Sequence, residues 1–267
     1  MTLDTDTAAP REPRRPKKRP GRRAGLIIFG VLIVMLVGAF FLVDAGARAF
    51  AQSQAEKQIT DSLPASATGE VTVEIGGTSV IAQFIGGSFD EITLDAPNLL
   101  IDGVPASVHV VASRVPTSTA LTIGNVEATL DFTPGALNAL LAQSSTAPPA
   151  ELTLGDGDAT YTGDLDVAGF SVGYIATVEA TAAKDSIVFT PASTELTTPA
   201  GNLDVSGVMD FVLDSQQSLG VCVAEYLPQG VEATAVDVTP ERARITLESS
   251  TLSLGTQSLT TRGTCAE

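Results

Sequence analysis

The segment IAQFIGGSFDEITLDAPNLLIDG, Ile81 to Gly103, decides how this chain is read. Ile81, Phe84 and Ile85 recur at spacings of three and four, which puts them on one face of a short helix. Gly86-Gly87 breaks that turn. From Phe89 the pattern becomes alternation: Phe89, Glu91, Thr93 and Asp95 point to one side of a strand, Asp90, Ile92, Leu94 and Ala96 to the other. The run ends at Pro97. A helical turn packed over a sheet edge satisfies this pattern without a ligand, and so does the lip of an apolar groove.

The texture on either side is also β. EVTVEI, ASVHVVASRV, ALTIGNVEATLDF, FSVGYIATVEA, SIVFTP, LDVSGVMDFVLD, GVEATAVDVTP and ARITLESSTLSL alternate with period two, are rich in Val and Thr, and are bounded by Gly, Asp and Pro. That is the signature of half-buried antiparallel strands. In ALTIGNVEATLDF, Leu121 and Ile123 alternate before a Gly-Asn slip. TPGALNALLAQ interrupts the series as a helix: Thr133 caps it, Pro134 suits its first turn, and Leu137, Leu140 and Leu141 form its apolar face. SSTAPPA, 144–150, is a connector between two halves of the β region. Residues 69–267 are therefore expected to form one mostly antiparallel α+β domain with one or two helices. The 267 residues include no Trp, so its core is aliphatic.

Ahead of that domain the composition changes twice. Residues 1–23 carry eight basic and three acidic side chains, a net +5, in a Pro-rich setting that suits a disordered tail. AGLIIFGVLIVMLVGAFFLV, 24–43, has no charge and no proline, and twenty helical residues span roughly 30 Å, the hydrocarbon thickness of a bilayer. The basic cluster before it and Asp44 after it place the N-terminus in the cytoplasm and the rest outside, as a single-pass plasma-membrane protein. A signal peptide cut near Ala47 is the competing reading, although its apolar core would be unusually long. Residues 44–68 hold good helix formers up to Pro64, with Phe50, Ile59 and Leu63 on one stripe: a juxtamembrane helix and linker. Cys222 and Cys265, both in the exported part, are read as one disulfide, with two free buried thiols as the alternative.

Chemistry is hard to find. After residue 43 there are seven basic and 28 acidic side chains, a net of −21 that repels nucleic acid. His109 is the only histidine and lies in a strand; a triad would require a nucleophile beside it and a third group orienting it. GDGDATYTGDLD, Gly155 to Asp166, imitates a calcium loop, but Tyr161 stands where glycine is needed and Val167 where glutamate is needed. A pair of Asp-Gly turns flanking ATYT accounts for it better. Neither a metal, a cofactor nor an enzyme activity is expected.

VTVEIGGTSVIAQFIGGSFDEITLDAPNLLIDG, Val71 to Gly103, resembles the opening signature of the LmeA-like phospholipid-binding proteins of actinobacteria. CVAEYLPQGVEATAVDVTPERARITLES, Cys222 to Ser249, is similar to that family's Leu-Pro-x-Gly-Val step and the two strands after it. Thr78–Val80 stand where members often carry Phe-Pro-Phe. The resemblance implies a membrane-anchored, extracytoplasmic phospholipid carrier or chaperone in cell-envelope assembly, with a curved sheet wrapping one or two helices around an apolar groove. On that reading Val80, Ile81, Phe84, Ile85, Phe89, Ile92, Leu94, Leu137, Leu140 and Leu141 line the groove for acyl chains. Arg242 and Arg244, two apart on one strand face, clamp the headgroup phosphate, or else balance Glu241 and Glu248. A structural or adaptor domain that binds another envelope protein is the alternative from a different class.

Overall fold

The computed structural model describes residues 22–63, 66–143, 150–167, 170–198, 201–204, 218–255, 258 and 260–265. Two compact units divide between Val43 and Asp44. Helix α1, Arg22–Ser62, begins in the first and ends in the second. In the first unit it presents Phe29, Leu36 and Phe41 to the surroundings. It is long and apolar enough to cross a membrane, with a mean hydropathy of 2.3, a test that a signal sequence near the N-terminus also passes.

The second unit is built on two antiparallel sheets. The first contains β1 (Ala67–Thr68), β2 (Thr72–Ile75), β3 (Ser88–Ile101), β4 (Val104–Pro116), β5 (Asn125–Phe132), β12 (Glu232–Thr239) and β13 (Arg242–Ser249). Its order is β1-β3-β4-β5-β13-β12, with β2 beside β1 on the same edge of β3. The second sheet is ordered β10-β9-β8-β7-β6, and β11 also pairs with β9. Its strands are β6 (Ala150–Leu154), β7 (Asp158–Val167), β8 (Phe170–Ala183), β9 (Ser186–Thr198), β10 (Gly201–Asp204) and β11 (Leu219–Cys222). Helices α2 (Val80–Gly86) and α3 (Pro134–Gln143) complete the unit. The expected α+β class with mostly antiparallel strands is what is found.

Local chemistry sets these elements. Ser79 caps α2 by accepting from the Ala82 amide, and Gly87 ends it at φ 88°, a left-handed conformation that favours glycine. Ile101 and Val104 pair directly, so Asp102-Gly103 is a two-residue hairpin turn with both φ positive, at 51° and 81°. Thr133 caps α3 through the Ala136 amide. Cys222 and Cys265 are joined, with their Cα atoms 6.0 Å apart.

Four expectations are corrected. Strand β3 does not stop at Pro97; the ladder slips between Ala96 and Leu99 and continues to Ile101. A bulge accommodates a residue that has no N–H to give. Leu121 and Ile123 are not strand residues: they lie in the loop before Asn125, where Ile123 donates to the Leu252 carbonyl. Of the two Asp-Gly turns, Gly155–Asp158 joins β6 to β7, but Gly163-Asp164 lies inside β7. The β region is not cut into sequential halves either, because β12 and β13 return to the first sheet. Most of the SSTAPPA connector, and residues 205–214 of the LDVSGVMDFVLD stretch, lie outside the described residues.

Candidate functional site

The register of the first sheet sorts its residues into two faces. On one, Leu94, Val110, Ala128 and Leu247 stand in a cross-strand row, and Ala96, Val108, Leu130, Ile245 and Val236 form the next. Phe132, Ala243 and Val238 follow. On the other face the same strands present Asp95, His109 and Thr129, then Ser107, Asp131, Arg244 and Asp237. Period-two alternation has made one face hydrocarbon and the other polar.

The apolar face is closed at its flanks and less so between them. At one flank Val71, Val73, Ala96 and Leu99 are buried, and Ala55, Ile59 and Leu63 pack onto them. At the other, Val115, Ile123 and Leu252 are buried, with Phe89, Ala112, Val126 and Val231 against them. Val110, Ala128, Leu130, Ile245 and Val236, in the middle, stay only half-buried. Among the described residues the largest fully buried side chain is a valine, Val104, and no phenylalanine is in the buried core. A domain of this size ordinarily fills its centre with its largest apolar side chains. Here Leu99, Ile123 and Leu252 are buried at the flanks, and in the middle rows Leu247 is buried while Val110, Leu130, Ile245 and Val236 are not.

The second sheet repeats the pattern in weaker form. Leu152, Tyr161 and Ala176 stand in one row, Leu154, Ala159 and Val178 in the next, and all are half-buried. Tyr174, on the same face, has its ring 5.8 Å from that of Tyr161 and its hydroxyl buried. Burial first, and then the neighbouring Tyr161 phenol, pushes its pKa up to about 12.

The residues expected to line a groove fall into three groups. Val80 is buried in α2 and Ile81 half-buried, whereas Phe84 is 65% and Ile85 80% exposed. Phe89 packs on the second flank, Leu94 on the first, and Ile92 on both. Leu137 and Leu141 on α3 are half-buried and Leu140 is exposed; Asn138 ties this helix to the β6 edge through the Leu152 amide and carbonyl. The positions are thus spread over a short helix, strand β3 and a second helix. The mid-sheet residues Val110, Leu130, Ile245 and Val236 were not singled out from the sequence. Their alternation was visible there, but their shared row depends on strand order.

Arg242 and Arg244 lie on the opposite face from Ile245. Arg244 donates from Nε and Nη2 to the two carboxylate oxygens of Asp131, both at 2.7 Å, and Arg242 lies 3.9 Å from the same group. The Arg244 hydrogen bonds hold the Asp131 carboxyl below its usual range and push the guanidinium up. The partner is thus Asp131, from a strand 113 residues away in sequence, rather than Glu241 or Glu248. His109 pairs through Nδ1 with Asp95, its direct cross-strand neighbour, and both are about half exposed. A hollow of about 610 Å³ between the start of β12 and the segment after β13 is lined by the polar residues Gln229, Gly230, Thr251, Ser258 and Thr261.

One arrangement had no signal in the sequence beyond a single charge. Asp44, the first residue after the apolar run, is buried. Its carboxylate accepts from Ser79 Oγ at 2.7 Å, the Ile81 amide at 2.9 Å and the Val80 amide at 3.2 Å. Arg48, one turn on, donates to the carbonyls of Ile75 and Gly77. Glu56 accepts from the Val73 amide. These three side chains fasten the second half of α1 to β2 and to the start of α2.

Residues 42–248 match the model of the LmeA-like phospholipid-binding family, and the chain belongs to that family. No curated protein and no solved structure matches it.

Proposed function

We propose that this member of the LmeA-like family is a membrane-anchored, extracytoplasmic carrier or chaperone that takes phospholipid acyl chains onto the half-buried apolar rows of its first sheet. The observation that carries the reading is the contrast along one sheet face. Side chains complete it at both flanks and leave Val110, Leu130, Ile245 and Val236 incompletely covered between them. Aliphatic walls suit hydrocarbon, and burial of a long acyl chain yields on the order of 12 kcal/mol before entropic losses, at ~0.8 kcal/mol per CH₂. That gain needs no catalytic group, and we place the protein among binders rather than enzymes. His109, half exposed on the polar face and closed onto Asp95, supports this placing.

The apolar helix acts as the retained anchor, with the basic N-terminal tail in the cytoplasm. Cell-envelope lipid or lipoglycan assembly is the setting that an anchored phospholipid carrier outside the cytoplasm would serve. Native mass spectrometry of the full chain, released from detergent, tests the reading. Retained phospholipid, lost on Leu130→Asp, is the expected result. A chain that neither retains nor takes up phospholipid contradicts it and leaves a tethered adaptor domain.

A further inference from the structure

The strongly acidic second unit has one end poor in charges, where Asp90 beside Gly77 and Arg114 beside Gly124 are of opposite sign. Gly76–Phe89, Val115–Val126 and Ser249–Thr261 contain no Asp, Glu, Lys or Arg, although residues 44–267 hold 28 acidic and seven basic side chains. The fold brings these three stretches together. Thr117 donates from its amide and its hydroxyl to the carbonyl of Gly87, the cap of α2. Thr122 bridges to Ser253, and Ile123 donates to Leu252. The same end exposes large apolar side chains: Ile85 at 80%, Phe84 at 65% and Leu121 at 57%. The other end of the first sheet holds the Asp102 turn, Glu241 and Arg242. The Asp156 turn is fastened there too, since Gly157 donates to the Val238 carbonyl.

Asp44 fixes where this end must be. Its carboxylate holds the Ser79 hydroxyl and the first amides of α2, so the helix bearing Phe84 and Ile85 is tied to the residue at which the apolar run stops. Chain continuity then keeps α2 at the membrane boundary whatever angle the apolar helix adopts. A unit with a net charge of −21 is repelled by an anionic leaflet, and the repulsion is least where charges are lacking. Exposed Phe, Ile and Leu on stretches that carry no charge of their own favour the headgroup–acyl boundary.

We infer that Phe84 and Ile85 of α2, with Leu121 beside them, dock into the outer leaflet of the bilayer that holds the apolar helix, so that the carrier domain stands on its own membrane. This deepens the proposed function and rests on Ala24–Val43 being a retained span. A protein without tryptophan allows a clean test. The full chain is reconstituted in phosphatidylcholine vesicles with or without acyl-brominated lipid, as single-tryptophan variants Ile85→Trp, Leu36→Trp and Asp156→Trp.

Docking predicts that Ile85→Trp is blue-shifted and quenched to an extent approaching Leu36→Trp, while Asp156→Trp is neither. Quenching at position 36 alone overturns docking and leaves the anchor intact. Quenching at none of the three overturns the anchor and docking together. Equal quenching at 85 and 156 overturns a specific tip. Quenching at 85 that persists in detergent with one brominated lipid bound per chain means that Ile85 faces the bound lipid, and overturns docking as well.

Discussion

The flank and the middle of the first sheet's apolar face use the same alphabet of residues to different ends. At the flank, Val73, Ala96 and Leu99 meet Ala55, Ile59 and Leu63 of α1, and the hydrocarbon is sealed. Across the middle, Val110, Leu130, Ile245 and Val236 are as apolar and as regularly paired, yet remain half-buried. Side-chain type does not separate the two regions. What separates them is whether the chain supplies a covering element, and α1 supplies one because Asp44, Arg48 and Glu56 fasten it there. The comparison teaches that hydrophobic patterning builds the wall, while a few polar clamps decide which part of the wall is closed.

The largest effects should fall on the sealed regions. Leu99→Ala empties a packed site and is expected to cost about 2–5 kcal/mol in denaturant unfolding. Leu130→Ala, measured without lipid, should cost less than about 1 kcal/mol, because a side chain on an incompletely covered face leaves no closed cavity. Equal costs at the two positions would erase the distinction between flank and middle. Loss of the disulfide through Cys222→Ser should remove about 2–4 kcal/mol, since the bridge closes a separation of 43 residues. It should also loosen the segment that brings Leu252 to the second flank. Hydrogen exchange should therefore rise around Ile123 and Val115 and not around Leu130.

The polar face sharpens the comparison with the smallest effect. Asp131 has its pKa lowered by Arg244, so it stabilises the fold above the unfolded carboxylate value of ~3.9, and that contribution disappears as pH falls through the lower folded value. Asp131→Asn should thus cost up to about 1 kcal/mol at pH 7 and nothing once pH is below both values. Thermal melts of the two proteins across pH 2–7 would check the convergence. Phospholipid retention at pH 7 should be unchanged, because the pair lies on the face away from Leu130.

Much of this was legible in the sequence, for physical reasons that can be stated. Alternation exposed the strands, Gly86-Gly87 ended α2, and Thr133 and Pro134 opened α3. Each is a local signal. Pairing across long separations was not legible: nothing near residue 130 announces that Leu130 stands beside Ile245, or that Asp131 will take both prongs of Arg244. The bulge at Pro97 misled because proline usually ends a strand, whereas an edge or bulge position tolerates it. Asp44 read only as the charge after an apolar run, and its partners lie 35 to 37 residues on, brought to it by tertiary structure.

Photo-crosslinking with a phospholipid that carries a diazirine on its acyl chain, followed by peptide mapping of the full chain, tests the central claim most directly. The account predicts adducts on peptides of β4, β5, β13 and β12 that carry Val110, Leu130, Ile245 and Val236, in addition to any on the apolar helix. Adducts confined to residues 24–43, with those strands unlabelled, would mean that no acyl chain completes the sheet.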